Sequence, residues 1–157
     1  VNFPLLNSSI KDEDTILVNR HVNLGIAVNI EDGVIVPTIK NIHEMDLLAV
    51  SRQINVLSNK SRDNDLNVDD VQNGTITLTN YGMSGIEIGL PIIKYPEVAI
   101  IGVGAIKKKP IVDETDSIVI RSMMGLSLTF DHRIVDGMYG CNFLNEIKNS
   151  LKQIKSL

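Results

Sequence analysis

The stretch VAIIGVGAI, from Val98 to Ile106, contains no charged residue and is apolar on both of the faces a strand would present. A strand of that kind belongs in the middle of a sheet covered on both sides, because either face left in water would expose a row of aliphatic side chains. The rest of the chain must therefore supply neighbouring strands and covering layers. MDLLAVSRQINVLSNKSRD places Asp46 where an N-cap is needed and Leu47, Val50, Ile54 and Leu57 at helical spacing, which predicts an amphipathic helix. A second helix follows Gly137, with Leu144, Ile147, Leu151 and Ile154 on one stripe and Lys148, Lys152 and Lys155 toward water, where the lysines suit the negative end of the helix dipole.

Several segments read as partner strands. TILV reaches Val18, and LGIAVNIEDGVIVPTI, from Leu24 to Ile39, holds two β-branched runs around Asp32-Gly33, a pair that favours a hairpin turn. TITLTN, from Thr75 to Asn80, alternates threonine with Ile76 and Leu78, the period of a half-buried strand. After a turn at Asp113 to Asp116, SIVIRSMMGLSLTF predicts one strand near Ile118 to Ile120 and another from Met123 to Phe130. Asn64 to Asn73 is a polar connector with room for a short helical turn, and YGMSGIEIGLP is a glycine-rich loop. Strands outnumber helices and do not alternate strictly with them, so the fold class is α+β, with helices layered over a mixed sheet in one domain.

A net charge of -4 without basic blocks, and 4% aromatic residues, leave neither an electrostatic footprint nor a stacking platform for nucleic acid. No run approaches the roughly 20 apolar residues of a membrane span, so no membrane partner is expected. The one cysteine, Cys141, cannot form an internal disulfide and falls inside the last helix, where a buried small residue is expected. The start, VNFPLLNSS, lacks an initiator methionine and the regions of a signal peptide, and is expected to be an internal cut.

Of three histidines, His21 and His43 sit in polar settings that favour solvated or structural roles. His132 differs, because FDHRIVDG places it just past an apolar strand and four positions before Asp136, at a helix start. Strand ends followed by short loops are where rigid scaffolds present reactive groups. Spacing alone leaves FDHRIVDG open between a reaction centre and an ordinary turn in which Asp136 caps the helix. The three scattered histidines and single cysteine form no spaced metal cluster, Gly102-Val103-Gly104 lacks the third glycine of a nucleotide loop, and no serine stands in a nucleophile elbow.

LSLTFDHRIVDG, from Leu126 to Gly137, resembles the signature of the dihydrolipoamide acyltransferases, the E2 components of 2-oxo acid dehydrogenase complexes. NFPLLNSSI, VNLGIAVNIEDGVIVPTIKN, NGTITLTNYGMSG and IIKYPEVAIIGVGAI resemble further motifs of that family in the same order. The resemblance implies a two-layer sandwich of helices over a mixed β-sheet, similar to chloramphenicol acetyltransferase. It makes residues 1–157 the C-terminal catalytic domain without its N-terminal part, and without the lipoyl and subunit-binding domains.

The implied reaction moves an acetyl or branched-chain acyl group from S-acyl-dihydrolipoyl-lysine to coenzyme A, as substrate, with no metal. His132 matches the family's general base. Thr79 matches its oxyanion-stabilising hydroxyl, and stands just before Asn80-Tyr81-Gly82, which favours it over Thr77. Asp136 matches a supporting aspartate, Arg133 is the next scaffold charge, and coenzyme A contacts stay unassigned. Expected partners are a homotrimer with sites between subunits, a large cubic or icosahedral core, the lipoyl group on its separate domain, and the E1 and E3 components through absent regions. The resemblance favours a bacterial cytoplasmic setting, or the mitochondrial matrix in a eukaryote. Two other readings are a free-standing chloramphenicol-type acetyltransferase and an assembly module without turnover.

Overall fold

The computed structural model describes residues 2–12 and 14–153. Nine strands and two α-helices follow in chain order among them, with four short 3-10 turns. The first pair, β1 (Ser8–Asp12) and β2 (Thr15–Val18), is an antiparallel ribbon. The main sheet contains β3 (Leu24–Ile26), β6 (Thr38–Ile39), β7 (Ile76–Asn80), β8 (Ala99–Val112) and β9 (Ile118–Phe130) in the order β6-β3-β7-β8-β9. Strands β3, β7 and β8 run parallel, while β6 and β9 pair antiparallel at the two edges. The mixed α+β expectation holds.

The period-2 pattern sorts the sheet into two unlike faces. Ile26, Leu78, Ile101 and Leu128 are register partners on one face. That face joins a core of Leu6, Ile76, Val98, Ala99 and Val135, with Val98, Ala99 and Val135 fully buried. Burial of each larger aliphatic side chain there contributes roughly 1.5–3 kcal/mol. On the opposite face the partners are Thr38, Gly25, Thr77, Ile100 and Thr129 in one row, and Thr79, Gly102 and Ser127 in the next. Hydroxyls and glycines therefore dominate this second face, which explains the alternating threonines of TITLTN.

Helix α1 (Leu47–Arg62) begins where Asp46 accepts the Ala49 N–H at 2.7 Å, as its N-cap position predicts. It packs beside β6 and the β4 (Val28–Ile30) and β5 (Gly33–Ile35) hairpin. The hairpin turns at Asp32-Gly33, with Gly33 at φ +141, but Leu24–Ile26 and Thr38–Ile39 leave it to enter the main sheet. The connector forms one 3-10 turn, Val68–Val71, closed by a reciprocal Asn67–Asp70 capping box.

Three expectations need correction. The two strands anticipated between Ile118 and Phe130 are one, because β8 continues to Val112 and gives Arg121 and Ser122 partners in Lys109 and Lys108. A ribbon projecting beyond the sheet needs backbone pairing but no apolar face, so polar residues do not end it. Cys141 is exposed. Helix α2 (Gly137–Gln153) instead turns Gly140 toward the sheet, where a Cβ would lie 2.6 Å from the Phe130 ring. Finally, the α2 apolar stripe is covered only in part: Leu144 and Ile147 are half-buried and Leu151 is 44% exposed, while Ile154 and Lys155 fall outside the described residues. Strand β1 was not anticipated, since SSIKD has a single aliphatic residue; it forms by pairing with β2 and through Ile10 N–H to Pro96 O at 2.8 Å.

Candidate active site

Strand β9 ends at Phe130, and the next residues form a turn fixed by backbone bonds. The Asp131 N–H donates to Val98 O at 2.9 Å, and the Ile134 and Val135 N–H groups both donate to Asp131 O at 3.0 Å. Val135 is completely buried and anchors the turn from below. Arg133 closes it from outside, its Nε and NH2 groups reaching the Asp131 carboxylate at 3.0 and 2.6 Å. The Arg133 hydrogen bond holds the Asp131 carboxyl below its ordinary pKa. His132 is thus presented, exposed, at the apex, with its ring centroid 5.7 Å from that of Phe130.

Asp136 Oδ1 accepts the Tyr139 N–H at 2.8 Å, which makes it the N-cap of α2. The structure gives this carboxylate a helix to hold, and through the helix start it fixes the far end of the His132 turn.

Thr79 lies near the end of β7, beside Gly102 of β8. Thr77 and Thr79 share a face, yet their surroundings differ. Thr77 is buried, and its hydroxyl donates to Glu97 Oε2 at 2.6 Å. Thr79 is half-buried and outside that bond, so its hydroxyl is the one available to another group. The turn after it is firmly held: Tyr81 N–H donates to Val103 O at 3.1 Å, and Gly82 N–H to Asn80 Oδ1 at 2.9 Å. The Tyr81 hydroxyl lies 2.8 Å from Ser127 Oγ and donates to Gly89 O at 3.0 Å, laying the ring over Gly102.

The topology keeps Thr79 and His132 apart. Strand β8 is parallel to β7 and antiparallel to β9, so β7 and β9 finish at opposite ends of the strands, along the sheet's length. Thr79 shares a row with Ser127, whereas His132 lies beyond Phe130, two strands over. Strand rise and spacing put them about 15–20 Å apart. Neither lines the cleft of about 560 Å³ near Arg20 and Lys94 or the cleft of about 580 Å³ between α2 and β9. The two candidate residues therefore do not meet within the chain.

The fold also assembles residues that the sequence scatters. His21 and His43 meet with ring centroids 5.8 Å apart, and with Glu44 they form an exposed trio of possible ligand atoms. His43 Nδ1 accepts the Val22 N–H at 3.3 Å, and His43 Nε2 faces Glu44 at 3.7 Å. A neutral imidazole accepting at Nδ1 carries its proton on Nε2, so that nitrogen pairs with the carboxylate and has no lone pair for a metal. The sequence reading passed over Glu97 and the Tyr81–Ser127 pair; the one local signal was a charged residue directly against the apolar run that starts at Val98.

Residues 1–157 match the family described as 2-oxoacid dehydrogenases acyltransferase (catalytic domain). The chain is 40% identical over 150 residues, 95% of its length, to the dihydrolipoyllysine-residue acetyltransferase component of the pyruvate dehydrogenase complex of Acholeplasma laidlawii, of which it spans 27%. It superposes with TM-score 0.94 and 35% identity on a probable dihydrolipoamide acetyltransferase of Listeria monocytogenes, covering 99% of this chain and 65% of that one. The cubic core of a pyruvate dehydrogenase multienzyme complex matches with TM-score 0.92 and 30% identity, over 98% of this chain and 63% of that one. Chloramphenicol acetyltransferase, at TM-score 0.57 and 14% identity over 94% of this chain and 69% of that one, shares the fold.

Proposed function

The chain belongs to the 2-oxoacid dehydrogenase acyltransferase family, and from that premise we propose that it transfers an acyl group from S-acyl-dihydrolipoyl-lysine to coenzyme A. The Acholeplasma laidlawii relative is an acetyltransferase component of a pyruvate dehydrogenase complex, which favours acetyl over a branched-chain acyl group. The observation that carries the reading is the opposition of Thr79 and His132: each is held by its own turn at opposite ends of the strands of one sheet, and each lacks the other within the chain. Such half-sites are completed by a neighbouring copy, so the working unit is a homotrimer with the base of one subunit facing the hydroxyl of the next. Trimers then build a larger core, and the lipoyl group arrives on its own domain.

His132 takes the proton of the coenzyme A thiol, an ordinary thiol being mostly protonated at neutral pH. The sulfur attacks the thioester carbonyl, and the Thr79 hydroxyl donates to the oxygen that becomes negative in the tetrahedral intermediate. Collapse breaks the old carbon–sulfur bond, and the imidazolium of His132 returns its proton to the departing dihydrolipoyl sulfur. One thioester replaces another, so protons and electrons balance without a redox step. Asp136 supports His132 through the helix start and transfers no proton. The bacterial relatives favour a bacterial cytoplasmic setting, with the E1 and E3 components engaged through parts of the parent protein outside this chain.

The test is complementation in acyl transfer from acetyl-dihydrolipoamide to coenzyme A. His132→Ala and Thr79→Ala are each inactive alone; co-assembled, they regain about a quarter of wild-type turnover by random mixing. A mixture that assembles and regains nothing refutes the shared site.

A further inference from the structure

Glu97 is the one acidic residue buried among the described residues, at 2% exposure. It stands where three elements meet. Its preceding neighbour, Pro96, accepts the Ile10 N–H of β1, and the following residue, Val98, accepts the Asp131 N–H of the His132 turn. Its own side chain reaches across to β7, where Oε2 accepts the Thr77 hydroxyl at 2.6 Å.

The other carboxyl oxygen makes no hydrogen bond, and the nearby Thr38 hydroxyl makes none either: Glu97 Oε1 and Thr38 Oγ1 are buried without a partner among the described residues. Both border Gly74, where a Cβ would lie 2.7 Å from Glu97 Oε1 and 3.4 Å from Thr38 Oγ1, so a side chain at position 74 would push the carboxyl group away. Thr38, Gly25 and Thr77 are themselves consecutive partners in one row of β6, β3 and β7. The carboxyl group therefore holds this row through the Thr77 hydroxyl alone.

We propose that Glu97 is a positioning residue for Thr79, its carboxyl group bracing β7 through the Thr77 hydroxyl from a backbone segment that is itself bonded to β1 and to the His132 turn. Thr77 and Thr79 point to the same face roughly 6.6 Å apart along the strand, so what fixes one fixes the other. An oxyanion donor acts only where it is already in place, and a displacement of about 1 Å can cost on the order of 100-fold in rate. Glu97 touches no reacting atom. Burial raises its pKa, opposed by the Thr77 hydrogen bond and by Lys94, the charged group acting on it.

This inference rests on the acyl-transfer reading for its kinetic test, and hydrogen exchange gives it an independent one. In the full chain, Glu97→Ala lowers kcat about tenfold or more with KM within about twofold, and Glu97→Gln recovers to within about threefold because its amide oxygen again accepts the Thr77 hydroxyl. Amide exchange at Leu78, Thr79 and Asn80 accelerates about tenfold in Glu97→Ala while α2 stays protected. Thr77→Val keeps the side-chain shape, removes the donor, and reproduces both effects should Glu97→Ala fail to fold.

A raised pKa gives stability that is complete below the ordinary value of 4.5 and is lost as pH rises through the folded value, so wild type loses Tm relative to Glu97→Gln as pH is raised. Unchanged kcat and unchanged β7 exchange in a folded Glu97→Ala or Thr77→Val overturn the proposal, as does equal loss of protection in β7 and α2. Absence of turnover in wild type would instead count against the acyl-transfer reading, leaving the exchange result to judge the brace.

Discussion

The two ends of the main sheet present their reactive side chains by opposite means. Thr79 is embedded: its strand is paired on both sides, its neighbour Thr77 is bonded to a buried acid, and a tyrosine ring covers the adjoining glycine. His132 stands on an exposed turn of a few residues, held by three backbone hydrogen bonds and one ion pair. The difference fits the two proposed tasks. A donor to a developing oxyanion must be preorganised, because reorganisation during the reaction would consume the stabilisation it gives. A base must exchange protons with a thiol and be reached by it, which calls for exposure with a fixed direction.

The comparison is broken most severely at His132. His132→Ala removes the proton acceptor and is expected to lower kcat by about 10²–10⁴-fold at unchanged fold, measured in the trimer. Thr79→Ala removes one oxyanion donor and should cost about 10²–10³-fold, with Thr79→Ser restoring most of it through the same hydroxyl. A Thr79→Ala loss under about threefold would leave β7 as scaffold and shift the donor elsewhere.

Asp136 separates support from chemistry at the exposed end. Asp136→Ala removes the α2 cap and should lower stability by about 0.5–2 kcal/mol in denaturant melts, with a smaller rate loss than His132→Ala. Asp136→Asn and Asp136→Ser keep an oxygen for the Tyr139 N–H, and should recover both stability and rate. If Asp136→Asn is as inactive as His132→Ala, the carboxylate takes a direct part in proton transfer and the supporting role is wrong.

Local chemistry made much of this fold readable. The uncharged Val98–Ile106 run became the inner part of β8, Asp46 capped α1, and Asp32-Gly33 turned a hairpin. What escaped was decided at long range. Whether Glu97 is buried depends on Thr77, Thr38 and Gly74, which are distant in sequence, and a glutamate after proline reads locally as loop. Strand β1 and the unbroken β9 exist because partners continue beside them, against their own polar composition. At the site, spacing alone left FDHRIVDG open, and the family motifs singled out His132 and Thr79. Their placement at opposite strand ends came only from strand order and direction, which no motif encodes.

The smallest effect belongs to the ion pair over the His132 turn. Arg133 is 72% exposed and Asp131 18%, so solvent screens most of their attraction. The hydrogen bond from Arg133 depresses the Asp131 pKa below 3.8, so its contribution is complete above that value and is lost as pH falls through the folded value. Between pH 6 and 8 the carboxylate stays charged, and Arg133→Ala should leave the melting temperature almost unchanged. Its effect should appear in kcat, as a reduction of a few-fold that 0.5 M salt largely reproduces in wild type by screening the pair. A loss comparable to His132→Ala would mean that the side chain meets substrate or the facing subunit, and that the exposed end is organised by its ligands as the buried end is by its neighbours.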